Sequence, residues 1–240
     1  MDYGARGAVG RHDKERYVTA KLWWMMHKDL ASEWRARRVW PAMLLLGIVV
    51  ALMFAVQMGL SPEQKQETVG SLLWLAIFFA GMLAMDRSFV AEREEGCWEG
   101  LLSYPVSPTA VYFAKLAVNA IALAAIQCVL IPLFVALSDV PLLERPWAML
   151  AVAVLGNVGI AAIGTLLSGL AAGIRHGANL SVLLVLPLVI PVVLGAAEAT
   201  RLGMEETLDA AWWRWCQLLG AFAVVFTTAG AVLFDFVVED

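Results

Sequence analysis

The sequence predicts an all-α integral membrane protein with six transmembrane helices and both termini in the cytoplasm. Three observations carry that expectation. First, six apolar runs, residues 40–60, 69–85, 116–137, 147–172, 180–197 and 217–234, are each 17–26 residues long and nearly free of charge. A hydrocarbon core about 30 Å thick takes roughly 20 helical residues to cross. Second, the composition is 61% hydrophobic and only 16% charged, with a mean hydropathy of +0.74. A soluble helical core would need polar faces at helical period, and these runs show none. Third, the basic residues alternate in side. Arg6, Arg11, Lys14, Arg16, Lys21, Lys28, Arg35, Arg37, Arg38, Arg87, Arg93, Lys115 and Arg175 fall on one side, and Lys65, Arg145, Arg201 and Arg214 on the other. Thirteen against four puts the N-terminus inside, and six spans return the C-terminus to the same side.

Residues 1–16 are polar and glycine-bearing and are expected to form a disordered extension. The membrane domain is expected to occupy 17–240. Over 17–38, Leu22, Met26, Leu30 and Trp34 recur every four residues, while Lys21, Lys28, Glu33 and Arg35 lie off that stripe. This spacing predicts an amphipathic helix lying in the membrane surface. A plain juxtamembrane anchor and an elbow that also docks a cytoplasmic partner both fit it. No apolar leader precedes the first span, so insertion is expected by the spans themselves.

Span 1 opens with Trp40 at the interface and Pro41 in the first turn, where proline is tolerated. Span 3 contains Asn119, Gln127 and Pro132. Span 4 is rich in small residues, among them Gly156, Gly169 and Gly173, the last two four residues apart. Small residues let helix backbones approach closely, so these three are candidate packing positions. Span 5 holds Pro187 and Pro191, each of which removes a backbone donor; a kink or break is expected there. Cys97, Cys128 and Cys216 lie in separate segments without a C-x-x-C pair and read as small packing residues.

The cytoplasmic connection from Asp86 to Pro108 is dense in charge between 86 and 99. Its apolar residues Phe89, Val90, Cys97, Trp98, Leu101 and Leu102 make one face of a short helix, ended by Pro105 and Pro108. Such a helix, parallel to the membrane, suits a groove on a soluble partner. A solvated charged loop is the simpler reading of the periodicity alone.

The run from Glu92 to Ser107, E-R-E-E-G-x-x-E-x-L-L-x-x-P-V-S, resembles the coupling segment of ABC-2-type export permeases. With the preceding D-R-x-F from Asp86 to Phe89, it is more closely similar to the haem exporter B family of cytochrome c maturation. The stretch L-x-L-P-L-x-I-P from Leu184 to Pro191, after an arginine-containing loop, resembles that family's fifth span. The likeness covers roughly residues 20–235. The extension 1–16 and the terminal Val237-Val238-Glu239-Asp240 have no counterpart in it.

The resemblance implies an ABC-2-type permease subunit of the bacterial inner membrane that is not itself an enzyme. A separate cytoplasmic ATPase subunit (A) would bind ATP, and Phe89, Glu92, Arg93, Glu95, Trp98, Glu99, Leu101 and Leu102 would form the coupling interface with it. The further partners implied are a second copy of the chain, membrane subunits C and D, a periplasmic haem chaperone (E) and lipid, without nucleic acid. Haem would be handled by the complex rather than bound by this chain, whose His12, His27 and His176 all fall on the cytoplasmic side. The expected function is haem export or release of haem-loaded chaperone in cytochrome c biogenesis. An ABC-2 exporter of lipid, polysaccharide or drug shares the coupling segment and is the alternative; a proton-coupled secondary transporter lacks support, since no ionisable residue falls within the spans.

The residues themselves agree on what is absent. There is no G-x-x-x-x-G-K-[ST] to cradle phosphates, no H-E-x-x-H and no metal-ligand cluster. Trp212, Trp213 and Trp215 stand near the outer interface, where tryptophan is common in any membrane protein; they are also the candidate outer contact for haem or a partner.

Overall fold

The computed structural model describes residues 45, 47–53, 61–94, 108–138, 140–172, 178–205 and 207–239. Five long helices follow one another: α1 (Pro62–Glu94), α2 (Pro108–Ser138), α3 (Pro146–Ala172), α4 (Ala178–Gly203) and α5 (Ala210–Glu239). A stretch of the first apolar run, 47–53, is helical as well. Among the described residues four helices are long and apolar enough to cross a membrane: Pro108–Ser138, Pro146–Gly169, Leu186–Gly203 and Ala210–Leu233. The run 69–85 lies within α1. The extension 1–16, the helix expected over 17–38 and most of 40–60 lie outside the described residues.

The helix starts are chemically specified. At α1, Gln64 N–H donates to Ser61 Oγ at 3.3 Å and Ser61 N–H to Gln64 Oε1 at 3.0 Å. This reciprocal pair is a capping box, with Pro62 at the first helical position, where its missing N–H costs nothing. Pro108 and Pro146 open α2 and α3 in the same way. At α5, Asp209 Oδ1 accepts from Ala211 N–H at 2.9 Å and Trp212 N–H at 3.1 Å. That carboxylate satisfies two donors that the helix itself cannot.

Two short connections, 138–146 and 203–210, lie together and define one end of the bundle, here the loop end. They meet where Arg145 Nη1 donates to the Glu205 carbonyl. α3 is the centre of the assembly, in contact with α1, α2, α4 and α5. Its apolar span is 72% buried, against 33% for α2, 44% for α4 and 22% for α5. Small residues make this possible. Gly156 lies under the indole of Trp74, whose Cζ3 would be 2.7 Å from any Cβ placed there. Gly159 likewise faces Val192 of α4 at 3.0 Å, so α3 is closely flanked on two sides.

Two helices run farther than the hydropathy pattern implies. α4 extends from Ala178 to Gly203 as one continuous helix with Pro187 and Pro191 inside it, not as two half-helices. α1 continues past the apolar run through Asp86 to Glu94, so the first charged residues of the connection prolong the helix that carries the run 69–85.

Candidate functional site

The sequence singled out four groups of residues, and they fall in different parts of the molecule. Phe89, Glu92 and Arg93 lie on the last turns of α1; Glu95, Trp98, Glu99, Leu101 and Leu102 lie outside the described residues. Gly156 and Gly169 are buried in α3, whereas Gly173 is outside the described residues. Pro187 is exposed on α4 and Pro191 is half-buried. The three tryptophans do not act as one surface. Trp212 is fully buried, Trp215 partly so, and Trp213 is exposed.

Within the bundle, α2 and α3 are joined by a polar seam. Asn119 Nδ2 donates to Thr165 Oγ1 at 2.8 Å. Asn157 Nδ2 donates both to the Ala120 carbonyl at 3.1 Å and to Gln127 Oε1 at 3.3 Å, while Gln127 Nε2 donates to the Ala153 carbonyl at 3.4 Å. All four side chains are buried. Amides placed in an apolar interior must find partners, and here they find them across a helix pair rather than in lipid. Asn157 Oδ1 is the one seam atom left without a partner. Lys115, seven residues into α2, is buried at 3% exposure, deeper in the helix than its place beside the apolar run suggested.

A second connection joins α1 to α4. Trp74 Nε1 donates to Thr200 Oγ1 at 2.9 Å, and that hydroxyl donates onward to the Ala196 carbonyl at 2.7 Å. Below Gly70 the approach is closest: a Cβ there would lie 2.6 Å from the Ala197 carbonyl oxygen. The sequence reading did not single out Gly70, Trp74 or Thr200, because no local pattern links residues 126 positions apart.

At the loop end, Arg201 on α4 holds Glu198 at 2.7 Å and Glu205 at 3.0 Å. Trp147, Trp212 and Trp213 form an edge-to-face ladder, with centroids 5.6 and 4.9 Å apart. Trp212 fixes the entry of α5 by packing against Gly203, and its indole N–H has no hydrogen-bond partner. A small cavity bounded by Leu142, Arg145, Met149, Val152 and Thr200 has room for about one water. Among the described residues no cluster of His, Cys, Asp and Glu could hold a metal ion. The described site is therefore built for coupling helices together, with hydrogen bonds at the α2–α3 and α1–α4 contacts.

A family profile described as CcmB protein matches residues 20–237. The chain belongs to the CcmB family. Heme exporter protein B of Rhodobacter capsulatus is 27% identical over 181 residues, covering 75% of this chain and 83% of the relative. Heme exporter protein B of Pseudomonas aeruginosa is 26% identical over 180 residues, covering 75% and 80%. That of Paracoccus denitrificans is 27% identical over 150 residues, covering 62% and 68%. The family match includes α1 through α5 and the connection 95–107, so the expectation of a CcmB-type membrane protein holds.

Proposed function

We propose that this chain is the permease subunit of an ABC-type complex that serves haem export, or release of haem-loaded chaperone, in cytochrome c biogenesis. One observation carries the reading: the CcmB family match runs from 20 to 237 without omitting the charged connection after α1. In this reading the chain hydrolyses nothing. A cytoplasmic ATPase subunit (A) grips the segment 86–104, two copies of the chain serve two ATPase subunits, and subunits C and D with a periplasmic chaperone (E) complete the assembly in the inner membrane, with both termini cytoplasmic.

The physical chemistry of the segment supports that assignment. Trp98, Leu101, Leu102 and Phe89 supply apolar anchors for a groove, and Glu92, Arg93, Glu95 and Glu99 supply polar contacts around them. α1 supports it from the membrane side. Because the helix is continuous from Pro62 to Glu94, displacement at residue 94 moves Trp74 and, through its hydrogen bond, α4. Switching then consists of a shift of packed helices between two arrangements, biased by the ATPase.

The test is affinity purification of the tagged chain, co-expressed with the ATPase subunit, in mild detergent. Trp98→Glu with Leu101→Glu is expected to abolish recovery of the ATPase while the chain still inserts. Full recovery of the ATPase by that double variant would overturn the coupling assignment.

A further inference from the structure

Among the described residues, Trp212 alone combines a fully buried indole, 1% exposed, with an N–H that no protein group accepts. Buried donors are almost always paired, with protein or with ordered water. The indole Nε1 stands 3.5 Å from the point a Cβ on Gly203 would occupy. Gly203 also forms part of the wall of the loop-end cavity. Having no side chain, it leaves the approach from the indole open.

Thr200 lines the same cavity and lies three residues before Gly203, on the same side of α4. Its hydroxyl accepts from Trp74 Nε1 and gives its proton to the Ala196 carbonyl. A hydroxyl oxygen has two lone pairs and one proton, so one acceptor position is left on Thr200. An unmatched donor and a spare acceptor thus stand at one cavity with room for a single water.

We infer that this cavity is a binding site for one ordered water, which accepts from the Trp212 N–H and donates to Thr200 Oγ1. Its other proton has a place on the last turn of α4. There the Arg201 and Leu202 carbonyls accept from Met204 and Glu205 N–H, each at 3.2 Å, and those of Thr200 and Gly203 stand beside them. The Arg145 guanidinium, also in the wall, supplies a further donor. The chemistry selects water over an ion. Arg145 repels a cation. A halide cannot donate to the Thr200 hydroxyl, whose own proton is committed to Ala196. The water then extends a chain from Trp74 on α1 through Thr200 on α4 to Trp212 at the start of α5. Bridging water of this kind serves nearly as well as a direct hydrogen bond.

The experiment is X-ray radiolytic labelling of the detergent-solubilised full chain in heavy-oxygen water. Short pulses split water where it stands, and the side chains next to it take up the heavy oxygen, which mass spectrometry locates. Met149 lines the cavity, and Met149, Trp212 and Tyr112 are all buried. Corrected for intrinsic reactivity, Met149 and Trp212 are expected to be labelled at least fivefold faster than Tyr112. Ala148→Val enlarges a residue of the cavity wall. It is expected to cut labelling of Met149 and Trp212 at least threefold and to leave exposed Trp213 unchanged. Should that variant not fold, Gly203→Ala sets a methyl against the indole N–H and is expected to cut labelling of Trp212 to the same degree. Labelling of Met149 and Trp212 no faster than that of Tyr112 would overturn the inference. So would undiminished labelling of Trp212 in whichever of the two variants folds.

Discussion

The indole of Trp74 on α1 lies across Gly156 on α3 and donates to the Thr200 hydroxyl on α4. One side chain on α1 thereby touches two other helices. Gly156→Leu would drive a side chain into that ring and is expected to destabilise the bundle by about 1–3 kcal/mol. Thr200→Val keeps the shape and removes both protein hydrogen bonds of the hydroxyl, for about 0.5–2 kcal/mol. Thermal denaturation of the detergent-solubilised protein should rank the two in that order. Equal melting temperatures for Gly156→Leu and the parent would refute the close contact.

The α2–α3 seam should behave as a coupled unit. Asn157 donates to both Ala120 O and Gln127 Oε1, so Asn157→Ala removes two hydrogen bonds at once. Its cost is expected near 1–2 kcal/mol. After Gln127→Ala, the same substitution should cost measurably less, because one of the two acceptors is already gone. Strict additivity in a double-mutant cycle would show that these amides do not act on one another.

If α1 transmits force as a rod, its stiffness beyond the apolar run matters more than its sequence there. Inserting Gly-Gly after Asp86 is expected to leave ATPase recovery within twofold of the parent and to reduce cytochrome c maturation at least tenfold. Glycine raises backbone freedom where the helix is otherwise continuous. Normal maturation in that variant would show that force reaches the membrane by another route.

Sidedness is open to a direct check. Single cysteines at Glu144 and at Arg87 should label with an impermeant maleimide from opposite faces, Glu144 from outside intact spheroplasts and Arg87 only after permeabilisation. Labelling of Arg87 from outside would invert the basic-residue assignment.

Much of the bundle was legible from apolar length alone, because the absence of backbone partners in lipid leaves helices as the only economical answer. The ends were less so. Glu198 and Arg201 fall beyond the apolar run 180–197, yet they lie on the last turns of α4, where their ion pair satisfies both at i and i+3. Pro187 and Pro191 suggested a kink or a break, and of the two the continuous α4 excludes the break; the helix packs against α3, α1 and α5, which holds it together where isolated propensity would not. The charged residues 86–94 looked like the start of a separate surface helix and instead prolong α1. Gly156 was visible as a small residue, but its partner Trp74 was not, since a contact across 82 positions leaves no local mark.

The central place of α3 bears on which substitutions this protein can absorb. On α5, one bulky apolar residue can replace another because fluid acyl chains rearrange around it. Flanked by four neighbours, the buried face of α3 has no such yielding surroundings, and each methyl added there must push on a neighbouring helix. A saturation scan should therefore find its glycines and alanines nearly immutable while Val224 and Val225 drift freely among aliphatic residues.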